Sequence, residues 1–356
     1  MATIHDVAAR AGVSVATVSH VINASRNVKT ETRDRVLAAI ADLHYRRDGV
    51  ARSLRRNKTG TIGVVVADIA SSFFAELVRG IESAIQTIDP AFNYILSNTD
   101  EDAARERKCI DVLLEKRIDG LILTPAGGNE AYLSDLISRP FPLVFADRAV
   151  SGVDADTVAV DNVSASRDIV RHLLDLGHRR IALLKARLPV SSINDRMTGY
   201  REALHEAGLP FVPGLVIESG SKVAAAVEAG RVILAIDPLP DAVYCTNDFM
   251  TLGMMRAIHD ARLNCPRDIA VAAFDDFIWA NSFRPQLTAI AQPAFAMGEH
   301  AVRLLIDRMG EHRTGHGVHL TLSTEMLVRE SCGAHRTIAG GRRNLRKAEE
   351  DLASGN

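Results

Sequence analysis

Apolar positions near the N-terminus recur at helical spacing in three short blocks. Val7, Ala8 and Ala11 share one face, Val18, Val21 and Ile22 a second, and Val36, Leu37, Ile40 and Leu43 a third. This predicts three helices within the first 45 residues. Thr3 stands three residues before Asp6, the spacing of a capping box, and Ser14 follows the Gly12-Val13 break as a cap for the second helix. The third helix is expected to begin near Thr30. Two helices joined by a tight glycine-containing turn make a helix-turn-helix candidate. After Tyr45 the chain turns polar and basic, with one short amphipathic piece, Val50 to Arg56, in a linker ending at Asn57-Lys58-Thr59-Gly60.

From Thr61 the texture changes. Short apolar runs (Ile62–Ala67, Tyr94–Ser97, Gly120–Thr124, Leu143–Ala146, Ile181–Lys185, Ala242–Thr246 and Ile269–Phe274) alternate with helix-length stretches such as Ala75–Ile88, Ala103–Lys116, Ala165–Leu176, Arg196–Ala207 and Thr251–Ala261. That alternation predicts parallel sheets covered on both faces. The expected fold class is α/β, with a three-helix head followed by two doubly wound lobes. The tail from about Ala334 is rich in Gly, Arg and Glu, and its single heptad-spaced pair, Leu345 and Leu352, is too little for a coiled coil. A frayed end is expected.

The composition, 47% hydrophobic and 24% charged over 356 residues, is that of an ordinary globular chain of several domains. No run approaches the roughly 18 to 20 apolar residues of a membrane helix, and the first residues carry neither part of a secretory signal. The four scattered cysteines suit a reducing cytosol, so a cytoplasmic protein is expected. Charge adds more: the net −2 divides into +6 over residues 1–60 and −8 over the remainder. A nucleic-acid-binding head on an acidic body has this asymmetry, although a solvated basic face gives the same sum.

The stretch Thr3-Ile4-His5-Asp6-Val7-Ala8-Ala9-Arg10-Ala11-Gly12-Val13-Ser14-Val15-Ala16-Thr17-Val18-Ser19-His20-Val21-Ile22-Asn23 resembles the head of the LacI/GalR family of bacterial transcription regulators. Val50-Ala51-Arg52-Ser53-Leu54 resembles its linker. The body continues the match with Asp147-Arg148, Gly177-His178, Arg196-x-x-Gly199, Asn247-Asp248, Phe274-Asp275-Asp276 and Leu287-Thr288. The resemblance covers residues 2 to about 333. It implies a helix-turn-helix head at 1–46 and a hinge helix at 47–60. A periplasmic-binding-protein-like core at 61–333 would follow, its N-lobe about 61–161 plus 292–322 and its C-lobe about 162–291 plus 323–333, with the tail at 334–356. It further implies a homodimeric repressor that is not an enzyme and needs no cofactor. Such a protein binds a near-palindromic operator in double-stranded DNA under the control of a small sugar-like effector.

A recognition helix must present short or polar side chains to enter the major groove. Val15, Ala16 and His20 occupy that face, and by resemblance they read base edges, the first two against a thymine methyl and His20 through a hydrogen bond. Ser14, Thr17, Ser19, Asn23 and Thr32 would hold phosphates, although a cap or surface role is open for each. Leu54 lies among Arg52, Arg55 and Arg56 with little to pack on. The resemblance implies that it wedges between central base pairs from the minor groove; the plainer reading is a linker residue packed on the core.

Effector candidates lie at the carboxyl ends of predicted strands, where doubly wound sheets hold ligands. They are Phe73, Phe74, Asp147, Arg148, Arg196, Asn247, Asp275 and Gln292. Carboxylates accept from sugar hydroxyls, the arginine fork donates to ring and hydroxyl oxygens, and aromatic rings cover C–H faces. Arg196 is expected to open a helix and, if buried and unpaired, to require a ligand. The alternative for Phe73 or Phe74 is a place in the core. The set resembles ribose-type members more than purine-binding ones, with one departure: Ser71-Ser72 stand where those members often carry Asn-Pro. His312, His316 and His319 fall in a glycine-rich stretch without an acidic or cysteine partner, so a solvated loop rather than a metal site is expected. The phosphate-loop and nucleophile motifs of enzymes are missing. Two other classes fit less well: an exported sugar-binding protein, which leaves the basic head unexplained, and a sugar-processing enzyme on the same scaffold.

Overall fold

A computed structural model describes residues 2–23, 26–45, 59–88, 90, 92–310 and 315–334. The expected hinge helix with Leu54, the tail beyond Ala334, and His312 lie outside the described residues. The chain forms two compact units, Met1–Thr59 and Gly60–Asn356.

The first unit carries α1 (Ile4–Ala11), α2 (Val15–Asn23) and α3 (Thr30–Asp42). The capping box at the start of α1 is complete: Asp6 N donates to Thr3 Oγ1 at 3.3 Å and Thr3 N to Asp6 Oδ2 at 2.7 Å. Gly12 closes α1 in the left-handed region (φ 64°), a conformation that disfavours other residues. Ser14 caps α2 by accepting from Thr17 N at 3.1 Å. Val7, Ala8, Ala11, Val18, Val36 and Ala39 form the small core, with Val15, Val21 and Ile22 packed half-buried against it.

The second unit holds two six-stranded sheets of the same strand order. One comprises β1 (Thr61–Val66), β2 (Asn93–Asn98), β3 (Gly120–Leu123), β4 (Leu143–Ala146), β5 (Asp156–Val160) and β11 (His319–Leu322), ordered β2-β1-β3-β4-β5-β11. The other comprises β6 (Ile181–Ala186), β7 (Val216–Ser219), β8 (Ala242–Cys245), β9 (Ala270–Phe274), β10 (Thr288–Ala291) and β12 (Glu325–Leu327), ordered β7-β6-β8-β9-β10-β12. All pairings are parallel except β10 with β12, an antiparallel edge that the sequence reading did not anticipate. The helices α4 (Ser72–Ile88), α5 (Ala103–Glu115), α6 (Glu130–Ser138) and α11 (Ala294–Met309) cover the first sheet, and α7 (Asn162–Asp175), α8 (Ser191–Glu206), α9 (Val223–Leu234) and α10 (Asp248–Asp260) the second. The chain passes between the sheets after β5, after β10 and between β11 and β12.

Four helices start earlier than the pattern predicts, one of them α7, which begins at Asn162 and not Ala165. α4 begins at Ser72, which puts Phe73 and Phe74 in its first turn, and α10 begins at Asp248. α8 begins at Ser191, so Arg196 lies in its second turn and does not open the helix.

α4 and α11 pack backbone to backbone. A Cβ at Gly80 would fall within the van der Waals shell of the Phe295 carbonyl oxygen. Helix propensity alone favours Gly80→Ala by about 1 kcal/mol, but this contact reverses the sign. The substitution is expected to destabilise the core by about 1–3 kcal/mol, measured as a lower urea midpoint with an unchanged slope.

Candidate functional site

Both sheets have the doubly wound order whose carboxyl ends form ligand crevices, and here these two edges face one another. Between them lies a cleft lined by side chains of both lobes. All eight side chains singled out from the sequence line it: Phe73, Phe74, Asp147, Arg148, Arg196, Asn247, Asp275 and Gln292.

The two lobes contribute related parts. Asp147 directly follows β4 and Asp275 directly follows β9, and each backbone is left-handed, at φ 74° and 76°. Aspartate tolerates this region better than most residues, and such conformations collect at ligand sites. Arg148, buried, donates Nε to Asp147 Oδ2 at 2.8 Å and Nη1 to Glu101 Oε2 at 2.9 Å and the Pro125 carbonyl at 3.2 Å. Arg196, only 3% exposed, donates Nε to Asn162 Oδ1 at 2.8 Å and Nη1 to the Thr246 carbonyl at 2.6 Å. Its guanidinium lies 3.7 Å from the centroid of the Phe274 ring. Contrary to the expectation of an unpaired cation, the protein itself satisfies part of the buried Arg196 fork and holds the rest in place.

Asn247 caps α10, accepting from Met250 N at 2.8 Å, so one side chain both starts the helix and lines the cavity. Gln292 donates Nε2 to Asp275 Oδ1 at 2.6 Å, while its own Oε1 is buried without a hydrogen-bond partner. Phe73 and Phe74 meet edge to face, 5.0 Å between centroids, and both open readings apply, since they belong to the core and wall the cavity. Complete burial pushes the Asp275 carboxyl up to about 7; Arg196 opposes the rise and Asp248 adds to it.

Sequence reasoning missed the residues that join the lobes. The Asp248 carboxylate, at the start of α10, accepts from Ser71 Oγ at 2.9 Å and from Ser72 N at 3.2 Å, at the start of α4. Burial raises this carboxyl, while the two serines oppose the rise. Lys222 bridges to Asp68 and to Asp100, the latter at 2.9 Å, and Ser191 Oγ donates to the Ala149 carbonyl at 3.1 Å. The unusual Ser71-Ser72 pair was the one available signal. Its hydroxyls serve the contact between lobes.

In the first unit, Ser14 and Ala16 are exposed, and Thr17, Ser19, His20 and Thr32 are half-buried. Ser14 Oγ and Thr17 Oγ1 lie 2.9 Å apart. Val15 packs on the head's core, and Asn23 is the last residue of α2. Of the histidines in the glycine-rich stretch, His316 does have an acidic neighbour, Asp154 Oδ2 at 2.6 Å, a pairing hidden by its separation along the chain. Among the described residues no group of three or more His, Cys, Asp or Glu is placed to hold a metal ion. No described helix is long and apolar enough to cross a membrane.

Two family profiles match the chain: bacterial regulatory proteins, lacI family, over residues 3–48, and periplasmic binding protein-like domain, over residues 170–332. Catabolite control protein A of Priestia megaterium is 38% identical over 311 residues, which span 87% of this chain and 93% of that protein. The chain belongs to the lacI family of bacterial regulatory proteins. A second LacI-family relative, the ribose operon repressor of Escherichia coli, is 36% identical over 310 residues, spanning 87% and 93% of the two chains. The HTH-type transcriptional repressor PurR of Photobacterium profundum is 34% identical over 333 residues, spanning 93% and 98%. Among solved structures, the Lac repressor dimer bound to operator and the anti-inducer ONPF matches with a TM-score of 0.81 at 26% identity, covering 93% and 99% of the two chains. The transcriptional regulator CelR–cellobiose complex matches at 0.70 and 31% identity, covering 93% and 100%.

Proposed function

We propose that this protein is a cytoplasmic, sequence-specific transcriptional repressor, not an enzyme, whose affinity for operator DNA is set by a small sugar-like molecule held between the lobes. The observation that carries this reading is the cavity itself, where two carboxylates, an arginine fork and two phenylalanine rings from both lobes converge. The named relatives support it, since they are repressors and regulators, and the solved relatives include one with operator and one with cellobiose.

The division of labour follows. Residues 1–46 bind DNA and 47–60 couple the head to the core. The lobes, about 61–161 plus 292–322 and about 162–291 plus 323–333, close on the effector. A homodimer presents two heads to a two-fold, near-palindromic operator. Val15, Ala16, His20 and Leu54 contact bases, and Ser14, Thr17, Ser19, Asn23 and Thr32 contact the backbone. Closure around the effector changes the spacing of the two hinges, and so the fit to both half-sites at once.

Selection of bound fragments from the source genome, at a fixed salt concentration, tests the DNA reading. The parent protein is expected to enrich a near-palindrome. His20→Ala is expected to relax one position in each half-site, at a cost of about 1–3 kcal/mol. An unchanged site and affinity for the variant removes His20 from base readout.

A further inference from the structure

Three loops of the first lobe, at the carboxyl ends of β2, β3 and β4, each touch the second lobe. After β2, Asp100 accepts from Lys222 of the second lobe at 2.9 Å. After β3, Gly127 has φ 84°, and a Cβ there would lie 2.8 Å from the Pro189 carbonyl oxygen, so the two backbones meet almost directly. After β4, Ala149 N donates to Ser191 Oγ at 3.1 Å, and the Ala149 carbonyl accepts from the same hydroxyl at 3.1 Å. Arg148 makes none of these contacts itself, yet it is joined to all three loops.

Its two Nη atoms donate to the Glu101 carboxylate, at 2.9 and 3.3 Å, and Glu101 is the chain neighbour of Asp100. Nη1 also donates to the Pro125 carbonyl at 3.2 Å, two residues before Gly127, and Ala149 is the next residue after Arg148. Nε holds Asp147 Oδ2 at 2.8 Å, a carboxylate that lines the cleft. The planar guanidinium fixes these donors relative to one another, which an ammonium does not do. The loops need such a tie. Asp100 and Glu101 are both left-handed, at φ 55° and 61°, a conformation that persists where the surroundings enforce it. The Pro125 loop is fixed from its other side by buried Glu106, which accepts from Ala126 N at 2.5 Å and Asn129 Nδ2 at 2.8 Å.

We propose that Arg148 is a positioning residue for lobe closure: it ties the three loops into one unit, so that the contacts with Lys222, Pro189 and Ser191 form and break together. Taken singly, the bridge at half-exposed Lys222 is worth little; tied to the other two, it opens only when they do. Through Asp147 the same fork joins the loops to the cleft, so a ligand that engages this carboxylate biases all three contacts at once. That last step rests on the effector reading given above, whereas the closure role stands on the loops alone.

Amine acetylation of the full-length protein without ligand, read residue by residue by mass spectrometry, is the test. Lys222 reports the contact between lobes, and Lys185, held by Glu218 at 2.7 Å within the second lobe, reports general loosening. Arg148→Met is expected to speed acetylation of Lys222 about fivefold or more, a coupling usual within one hydrogen-bond network, with Lys185 unchanged. Backbone hydrogen exchange at residues 187–191 should rise with it. The sign is diagnostic: by charge alone, removing a cation from near Asp100 would hold Lys222 more tightly. An unchanged or slower Lys222, a parallel rise at Lys185, or a fast Lys222 with residues 187–191 unmoved overturns the proposal. If Arg148→Met does not fold, Glu101→Gln weakens the fork and leaves its Asp147 and Pro125 partners in place. Exchange at residues 187–191 must then rise, and no rise overturns the proposal. No sugar is added, so these outcomes are independent of whether the effector reading holds.

Discussion

Asp275→Asn is expected to raise the stability of the effector-free core at pH 8 and to abolish effector binding. The Asp275 carboxyl is fully buried and pushed up to about 7, against about 3.9 in an unfolded chain. The folded state therefore holds a proton that the unfolded state releases first as pH rises. By linkage, this group's contribution to stability is present below about pH 4 and lost as pH climbs to about 7. Above that, folding keeps an anion in a site that disfavours it, a cost of about 4 kcal/mol for the full shift. Asparagine tolerates the left-handed backbone and carries no charge. A gain of about 2 kcal/mol at pH 8, shrinking towards pH 4, is the expected result, read from urea unfolding of parent and variant across that range. Equal pH dependence in the two proteins rules Asp275 out as the source. Loss of effector binding alongside a gain in stability is the signature of a residue held against its preference for a ligand's sake.

Arg196→Ala is expected to behave in the opposite way. It removes the cation that opposes the rise in Asp275, leaves Asn162 Oδ1 and the Thr246 carbonyl without their donors, and exposes the face of Phe274. A loss of about 3–5 kcal/mol in core stability is expected, as when one partner of a buried charged network is removed. Effector affinity should fall about 100-fold or more, because the open end of the fork goes with it. Operator binding by the variant that remains folded should match the parent, but no sugar should alter it. A retained response excludes Arg196 from the site.

These two residues also mark how far the sequence could be read. Strands such as β1, β4 and β9 are short apolar runs buried on both faces, and the pattern finds them. β5 and β7 are missed, since Asp156-Thr157-Val158-Ala159-Val160 and Val216-Ile217-Glu218-Ser219 mix polar and apolar positions without a clear period. β11 and β12 are stabilised by pairing with strands far away in sequence, and no local signal predicts that. α9, Val223–Leu234, is too evenly apolar to show a stripe.

The same boundary divides the site. Residues just past a strand end, Asp147 and Asp275, are legible because the doubly wound order puts ligands there. The partners that give them their properties are not. Asn162 and Glu101 meet Arg196 and Arg148 within one lobe but from far away along the chain, and Ser71 and Ser72 acquire a role only when Asp248 arrives opposite them from the other lobe. Phe73 and Phe74 were ambiguous between core and cavity because they are both.

If effector and operator are coupled through one protein, as proposed, the coupling is reciprocal. A sugar that changes operator affinity by some factor must have its own affinity changed by that factor when operator is bound. The decisive measurement is calorimetric titration of the sugar that binds into free protein and into the protein–operator complex, at one salt concentration. Two different affinities are predicted, separated by about 5- to 150-fold, and Arg196→Ala should abolish sugar binding in both. Equal affinities with and without operator would contradict the coupling.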